Sequence, residues 1–211
     1  MLNINISKNI YPEVKRAKEI GQNWCYTFAN GGRTGKNIGM KTYNIKTCTA
    51  FELNAEKHNN ELYHLAPEQQ AIHRIKEEVE KRVFRLQDTF GEVKAFLYGG
   101  VELNNKNPES VASFNLYNTL ADVLDNLGIP FAMICGKKQA NQLDNMYVIN
   151  NNITIWNDLF KKFIKPKEAP NQEQIMDILK EHYQFVESTD EHALKFLEAL
   201  SAKPQAMLSK I

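Results

Sequence analysis

Apolar residues recur along this chain with two different periods, and the switching between them outlines a fold. Ile72, Ile75, Val79, Val83 and Leu86 follow one another at spacings of three and four, the stripe of a helix with one buried face. Pro67 suits its entry, and Glu68 sits where the helix dipole favours an acid. A second helix is predicted from Asn107, an N-cap residue followed by Pro108. Leu116, Leu120, Val123 or Leu124, and Leu127 form its apolar face, and Gly128 with Pro130 ends it. Short apolar runs between the helices read as buried strands: Val93–Tyr98, ending at Gly99-Gly100, and Ile129–Ile134. Met146–Ile149 and Ile153–Trp156 flank three asparagines and predict a hairpin.

The flanking regions are less regular. Pro12 to Gly21 reads as a short helix, Trp24–Phe28 as an aromatic strand, and the glycine-bearing stretch to Gly39 as a loop. Thr42 to Leu53 reads as extended chain around a turn, residues 54–61 as a loop, and Leu62–Leu65 as a short strand. Beyond about residue 157 the pattern turns helical. Ile175, Ile178, Leu179, His182 and Phe185 mark one helix. Ser188 with Glu191 forms a capping box for another, with Leu194, Leu197 and Leu200 behind it. The expected fold class is α+β: a mixed β-sheet core flanked by helices over residues 1–156, with a helical C-terminal extension over 157–211.

Composition narrows the function classes. With 211 residues, 43% of them hydrophobic and 24% charged, the chain has the make-up of one folded domain with an appended element. A net charge of +1 supplies no electrostatic pull toward nucleic acid or an anionic membrane. No uncharged apolar run approaches the roughly 18 residues of a membrane helix, and the first residues carry no apolar leader. Cys25, Cys48 and Cys135 are scattered, with neither a disulfide framework nor zinc spacing, which fits a reducing compartment.

Three clusters invite chemistry. Gly31, Gly35 and Lys36 superficially resemble a phosphate loop, but only three residues separate the glycines and Asn37 replaces the Ser or Thr such a loop needs. His58, His64 and His73 lie near Cys48 without the spacing of a zinc site, so no metal and no cofactor is expected. The third cluster is a pair. Cys48 stands in a polar turn at a strand entrance, and His64 follows sixteen residues later on the next strand. A thiol beside an imidazole supplies a nucleophile and a general acid/base in one unit. Thr42 is the candidate third group, orienting the imidazole or the substrate. Cys25 and Cys135 lie in apolar strand contexts and read as packing thiols.

The order of these elements resembles the CheD family, bacterial protein-glutamine deamidases of chemoreceptors. The resemblance rests on Thr42 six residues before Cys48, on His64 sixteen residues after it and on the Leu65-Ala66-Pro67 step. It rests further on Leu97-Tyr98-Gly99-Gly100 and on the helix leading into Gly128-Ile129-Pro130, and it covers about residues 38–150. Two departures stand out. Asn44, Ile45, Lys46 and Thr47 occupy the family's Gly-rich turn, and Cys135-Gly136-Lys137-Lys138 replaces its Gly-Gly-Asn-x-x-Arg region.

The resemblance implies a cysteine-dependent hydrolase of side-chain amides. Cys48 would be the nucleophile with a lowered pKa, His64 the base, and Thr42 the orienting group. Backbone N–H groups at residues 46–48 would hold the oxyanion. Gly99 and Gly100 either admit a substrate backbone or make a tight strand end. The implied partner is a protein carrying the target glutamine, with no nucleic acid and no membrane insertion. The implied setting is a bacterial cytoplasm or, for a toxin-like or effector relative, a host cytosol. Two other readings stand beside this one: a cysteine peptidase or transglutaminase using the same pair, and a non-catalytic binding module on the same scaffold.

Overall fold

The two longest apolar stripes form two helices that lie on one face of a sheet. The computed structural model describes residues 3–6, 17–20, 22–24, 32–34, 39–56, 59–67, 72–139, 141–149, 152–156 and 172–186. Helix α1 (Ile72–Phe90) buries Ile75, Val79, Val83 and Leu86. Helix α2 (Pro108–Asn126) starts at the expected cap: the Asn107 side chain accepts from Glu109 N and Ser110 N, satisfying amides that the first turn leaves unpaired. At its far end Gly128 takes φ +64°, the left-handed conformation that terminates helices.

Among the described residues, twelve strands form two mixed sheets. In chain order they are β1 (Asn3–Ile6), β2 (Lys18–Glu19), β3 (Gln22–Trp24), β4 (Gly32–Thr34), β5 (Met40–Ile45) and β6 (Thr49–Ala55). They continue with β7 (Asn59–Ala66), β8 (Val93–Val101), β9 (Phe131–Lys137), β10 (Asp144–Ile149), β11 (Asn152–Trp156) and β12 (Gln184–Val186). The larger sheet has seven strands in the order β12-β9-β8-β6-β7-β3, with β4 also pairing β7; the smaller runs β1-β11-β10-β5-β2. The fold class is thus α+β, as expected from the sequence.

Strand alternation sorts the larger sheet's side chains into two layers. Phe51, Leu53, Tyr63, Leu65, Leu97, Met133 and Cys135 face α1 and α2. Ala50, Leu62, Phe96, Tyr98, Ala132 and Ile134 face the smaller sheet and pack on Met40, Ile45, Met146, Val148, Ile153 and Ile155. The layers run helices, sheet, sheet. Among the described residues no helix is long and apolar enough to cross a membrane.

Several boundaries differ from expectation. Residues 54–61 are mostly strand rather than loop, because β6 and β7 pair continuously from Thr49↔Leu65 to Ala55↔Asn59. Strand β8 runs through Gly99-Gly100 instead of ending there. The stretch before Gly39 contributes β4. The extension is not wholly helical: helix α3 (Gln172–His182) ends before Phe185, and β12 pairs antiparallel with β9. Leu179 and Tyr183 join the inter-sheet core, so this part of the extension completes the fold. Within the predicted helix at 12–21, Lys18–Glu19 is instead strand β2, pairing parallel with β5, and residues 12–16 and 21 lie outside the described residues, as do most of the strand at 24–28, Cys25, the glycine loop at 35–38, His58 and the helix from Ser188.

Candidate active site

Thr42 and His64 meet in the layer between the sheets. Alternation on β7 turns Tyr63 and Leu65 to the helices and His64 to the smaller sheet, where β5 presents Thr42. Both side chains are buried. Thr42 Oγ1 lies 2.8 Å from His64 Nδ1 and 2.9 Å from the Ile20 carbonyl oxygen. The carbonyl can only accept, so the single hydroxyl proton goes to Ile20. Thr42 therefore accepts from His64, which carries its proton on Nδ1. The Nε2 nitrogen is left with a lone pair, buried and without a hydrogen-bond partner. Burial first, then the positive charge of Lys137, pushes the imidazole down to about 4. The result is a neutral base held in one tautomer and one orientation.

The turn carrying Cys48 links β5 to β6, and its carbonyls are clamped from three elements. Lys137 Nζ donates to Ile45 O at 2.5 Å, Ser113 Oγ to Thr47 O at 2.6 Å, and Gly100 N to Cys48 O at 2.7 Å. With these carbonyls engaged, the N–H groups are what the turn can offer a ligand, and N–H donors are what an oxyanion requires. Asn44, near the end of β5, adopts φ +58°. Asn tolerates this left-handed conformation better than most residues. Its N–H takes Asn145 Oδ1 as acceptor at 3.1 Å.

Gly99 and Gly100 press β8 against this turn. Their φ values are +108° and +63°. A Cβ on Gly99 would stand 2.5 Å from Ile45 Cγ2 and 2.7 Å from Cys48 O, and one on Gly100 2.5 Å from the Tyr117 ring. The direction in which a side chain would point at these two residues is filled by Ile45, Cys48 and Tyr117. Their contacts set the position of the candidate nucleophile.

Cys48 immediately precedes the paired residues Thr49↔Leu65 and Ala50↔His64, so it stands just beyond the ladder, two positions along the chain from the residue opposite His64. The thiol and the imidazole are not hydrogen-bonded to each other, since Nε2 has no partner. The expected lowered thiol pKa is corrected here. Cys48 is 6% exposed, and burial pushes its thiol up to about 11, with the Lys137 charge and the Thr47 hydroxyl offsetting only part. The cause is desolvation, and the neutral His64 provides no cation to oppose it. At rest the pair is a neutral thiol and a neutral imidazole.

Sequence reasoning passed over a buried polar network next to this turn. Phe131, Met133 and Cys135 face the helices, and strict alternation would send Lys137 the same way. Gly136 adopts φ +71°, and the ammonium instead reaches Asp144 Oδ2 at 3.1 Å and Gln142 O at 3.2 Å. Asp144 also accepts from Tyr98 at 3.0 Å, from Gln142 at 2.9 Å and from the Tyr183 hydroxyl. Burial lowers the Lys137 ammonium pKa, and Asp144 pulls it back up. Glu52 points into the same inter-sheet layer, where Asn54 offsets only part of the cost of burying its carboxyl. Burial raises its pKa to about 8. An acid inside a strand-like run was the available signal for Glu52; Lys137 carried none.

Cys135 is buried against the helices, in keeping with a packing thiol. Among the described residues, no group of three or more His, Cys, Asp or Glu side chains is arranged to hold a metal ion. In comparisons with known proteins, no family model matches the chain and no curated protein matches it.

Proposed function

We propose that this chain is a cysteine-dependent protein-glutamine deamidase. The observation that carries the reading is the Thr42–His64 hydrogen bond, which fixes the tautomer of a buried base and leaves its Nε2 lone pair unengaged. Because thiol and imidazole are both neutral, the proton moves as the bond forms. His64 Nε2 takes the Cys48 proton while Sγ attacks the carboxamide carbon of a glutamine side chain. The carbonyl electrons move onto oxygen, where N–H groups of residues 46–48 stabilise the oxyanion. When the tetrahedral centre collapses, the imidazolium gives its proton to the departing nitrogen, the C–N bond breaks and ammonia leaves a thioester. Water then attacks with Nε2 as base, the C–S bond breaks, the thiol is restored and glutamate is released. Thr42 keeps Nε2 aimed throughout.

The substrate is a chemoreceptor or, for a secreted effector, a host protein. A peptidase or transglutaminase would share the same thioester and differ in acceptor and leaving group. The burial and high pKa of Cys48 favour a second reading, a protein-binding module whose thiol is idle. Peptide mass spectrometry of candidate partners separates the two. The deamidase reading expects a gain of about one mass unit at a glutamine, present with wild type and absent with Cys48→Ser. Partners captured without any mass change, by both proteins equally, support the module.

A further inference from the structure

We propose that Lys137 is a positioning residue for Cys48, holding the nucleophile's turn through the Ile45 carbonyl and supplying the positive field that favours the thiolate. The inference rests on the deamidase reading for its catalytic meaning, but its geometry stands apart from it. The Lys137 side chain is fully buried, and its Nζ bonds Ile45 O at one end of the turn and Asp144 at the other side. A lysine buried this way is costly unless it is paired and fully hydrogen-bonded. Three acceptors meet that need: Ile45 O, Gln142 O and Asp144 Oδ2.

The groups facing the ammonium come from four elements. They are Asp144 on β10, Cys48 on the turn, His64 on β7 and Cys135 on its own strand. Tyr98 on β8 and Tyr183 after α3 face Asp144 in turn. Asp144's charge is therefore shared among three further donors, Tyr98, Tyr183 and Gln142. The lysine charge is the cation that acts on the Cys48 thiol, lowering its pKa against burial. After burial, the larger cause, it also lowers the His64 imidazole pKa. One ammonium thus favours an ionisable sulfur at Cys48, while on His64 it disfavours the imidazolium, so its help to the nucleophile is exerted on the sulfur.

The test is alkylation of Cys48 in the folded full-length protein, read by peptide mass spectrometry at pH 8.5 with neutral iodoacetamide and anionic iodoacetate. In wild type, iodoacetate is expected to gain on iodoacetamide relative to their ratio on a cysteine peptide. Lys137→Gln, which keeps a donor and drops the charge, is expected to slow iodoacetamide about tenfold and return the ratio to that of the peptide. Lys137→Arg should keep the ratio above it. A peptide-like ratio in wild type overturns the proposal, and so does a folded Lys137→Gln variant that reacts at the wild-type rate. The wild-type ratio decides the matter if the glutamine variant does not fold. No substrate enters this experiment. Failure of the deamidase reading shows separately, as absence of any Cys48-dependent mass gain while the effect of Lys137 on alkylation persists.

Discussion

The two faces of the seven-stranded sheet are built to different rules. On the helix side, Phe51, Leu53, Leu97 and Met133 meet Val79, Val83, Leu116 and Leu120 in an apolar layer. Its buried carboxylate, Glu61, is partnered, accepting from Tyr63 at 2.6 Å and from the Arg85 guanidinium. The side facing the smaller sheet buries Thr42, Glu52, His64, Lys137 and Asp144. The His64 Nε2 has no partner there. Unsatisfied buried polar atoms cost on the order of 1–3 kcal/mol each. The helix layer supplies stability that the inter-sheet layer partly expends on poised chemistry.

The strongest way to break this contrast is to disable the polar layer. Cys48→Ser and His64→Ala are each expected to lower deamidation by roughly a thousandfold or more, because nucleophile and base act as a unit. Thr42→Ala should cost only about ten- to a hundredfold, roughly 1–3 kcal/mol, since His64 loses orientation but not basicity. Cys135→Ser should leave the rate nearly unchanged. Mass spectrometry of the glutamate product measures all four, and a dead Cys135→Ser would move the nucleophile to the other layer.

Glu52 sharpens the comparison through pH. Its ordinary value is 4.5 and its folded value about 8, so the folded protein keeps a proton that the unfolded chain releases. Stability from this group is full below pH 4.5 and declines as pH rises toward 8. His64 has the opposite sign: lowered from 6.5 to about 4, it costs stability as pH falls through that window. Glu52→Gln is therefore expected to stabilise the protein at pH 8 by up to roughly 3–5 kcal/mol, and to change little at pH 5. Denaturant melts of both proteins at the two pH values give the measurement; parallel curves would show Glu52 ionising normally.

The helix layer answers to packing alone. Leu120→Ala should destabilise by about 2–5 kcal/mol through the cavity it leaves, while Cys48 alkylation in the remaining folded protein keeps its wild-type rate. A large change in that rate would couple the layers. The smallest expected effect is Asn107→Ala, about 1 kcal/mol from a lost helix cap, read as a shift in the same denaturant midpoint without any change in deamidation.

Periodicity made the helix layer legible. Ile75, Val79, Val83 and Leu86 announce one helix and Asn107-Pro108 the start of another, because caps and apolar stripes are local signals. Thr42, Cys48 and His64 were legible as residue types in order, and the packing of one sheet on the other then put Thr42 against His64. The supports were hidden. Lys137 sits at the end of an apolar strand beside another lysine, and nothing local marks it as buried. Ile20 enters through its carbonyl, which any residue would provide, and Tyr98 was one aromatic within an apolar run.

The sequence by itself determined the α+β class, both long helices, the hairpin and a Cys–His pair on adjacent extended segments. Each follows from interactions between residues near one another in the chain: capping, turn chemistry and alternation of apolar side chains. Tertiary structure decided the protonation of the pair and the partners of the turn. Thr42 takes its acceptor from Ile20, 22 residues away, and the Ile45 carbonyl takes its donor from Lys137, 92 residues away. The thiol rises and the imidazole falls because both are removed from water. Desolvation depends on everything packed around a group, and the chain's local order does not encode it.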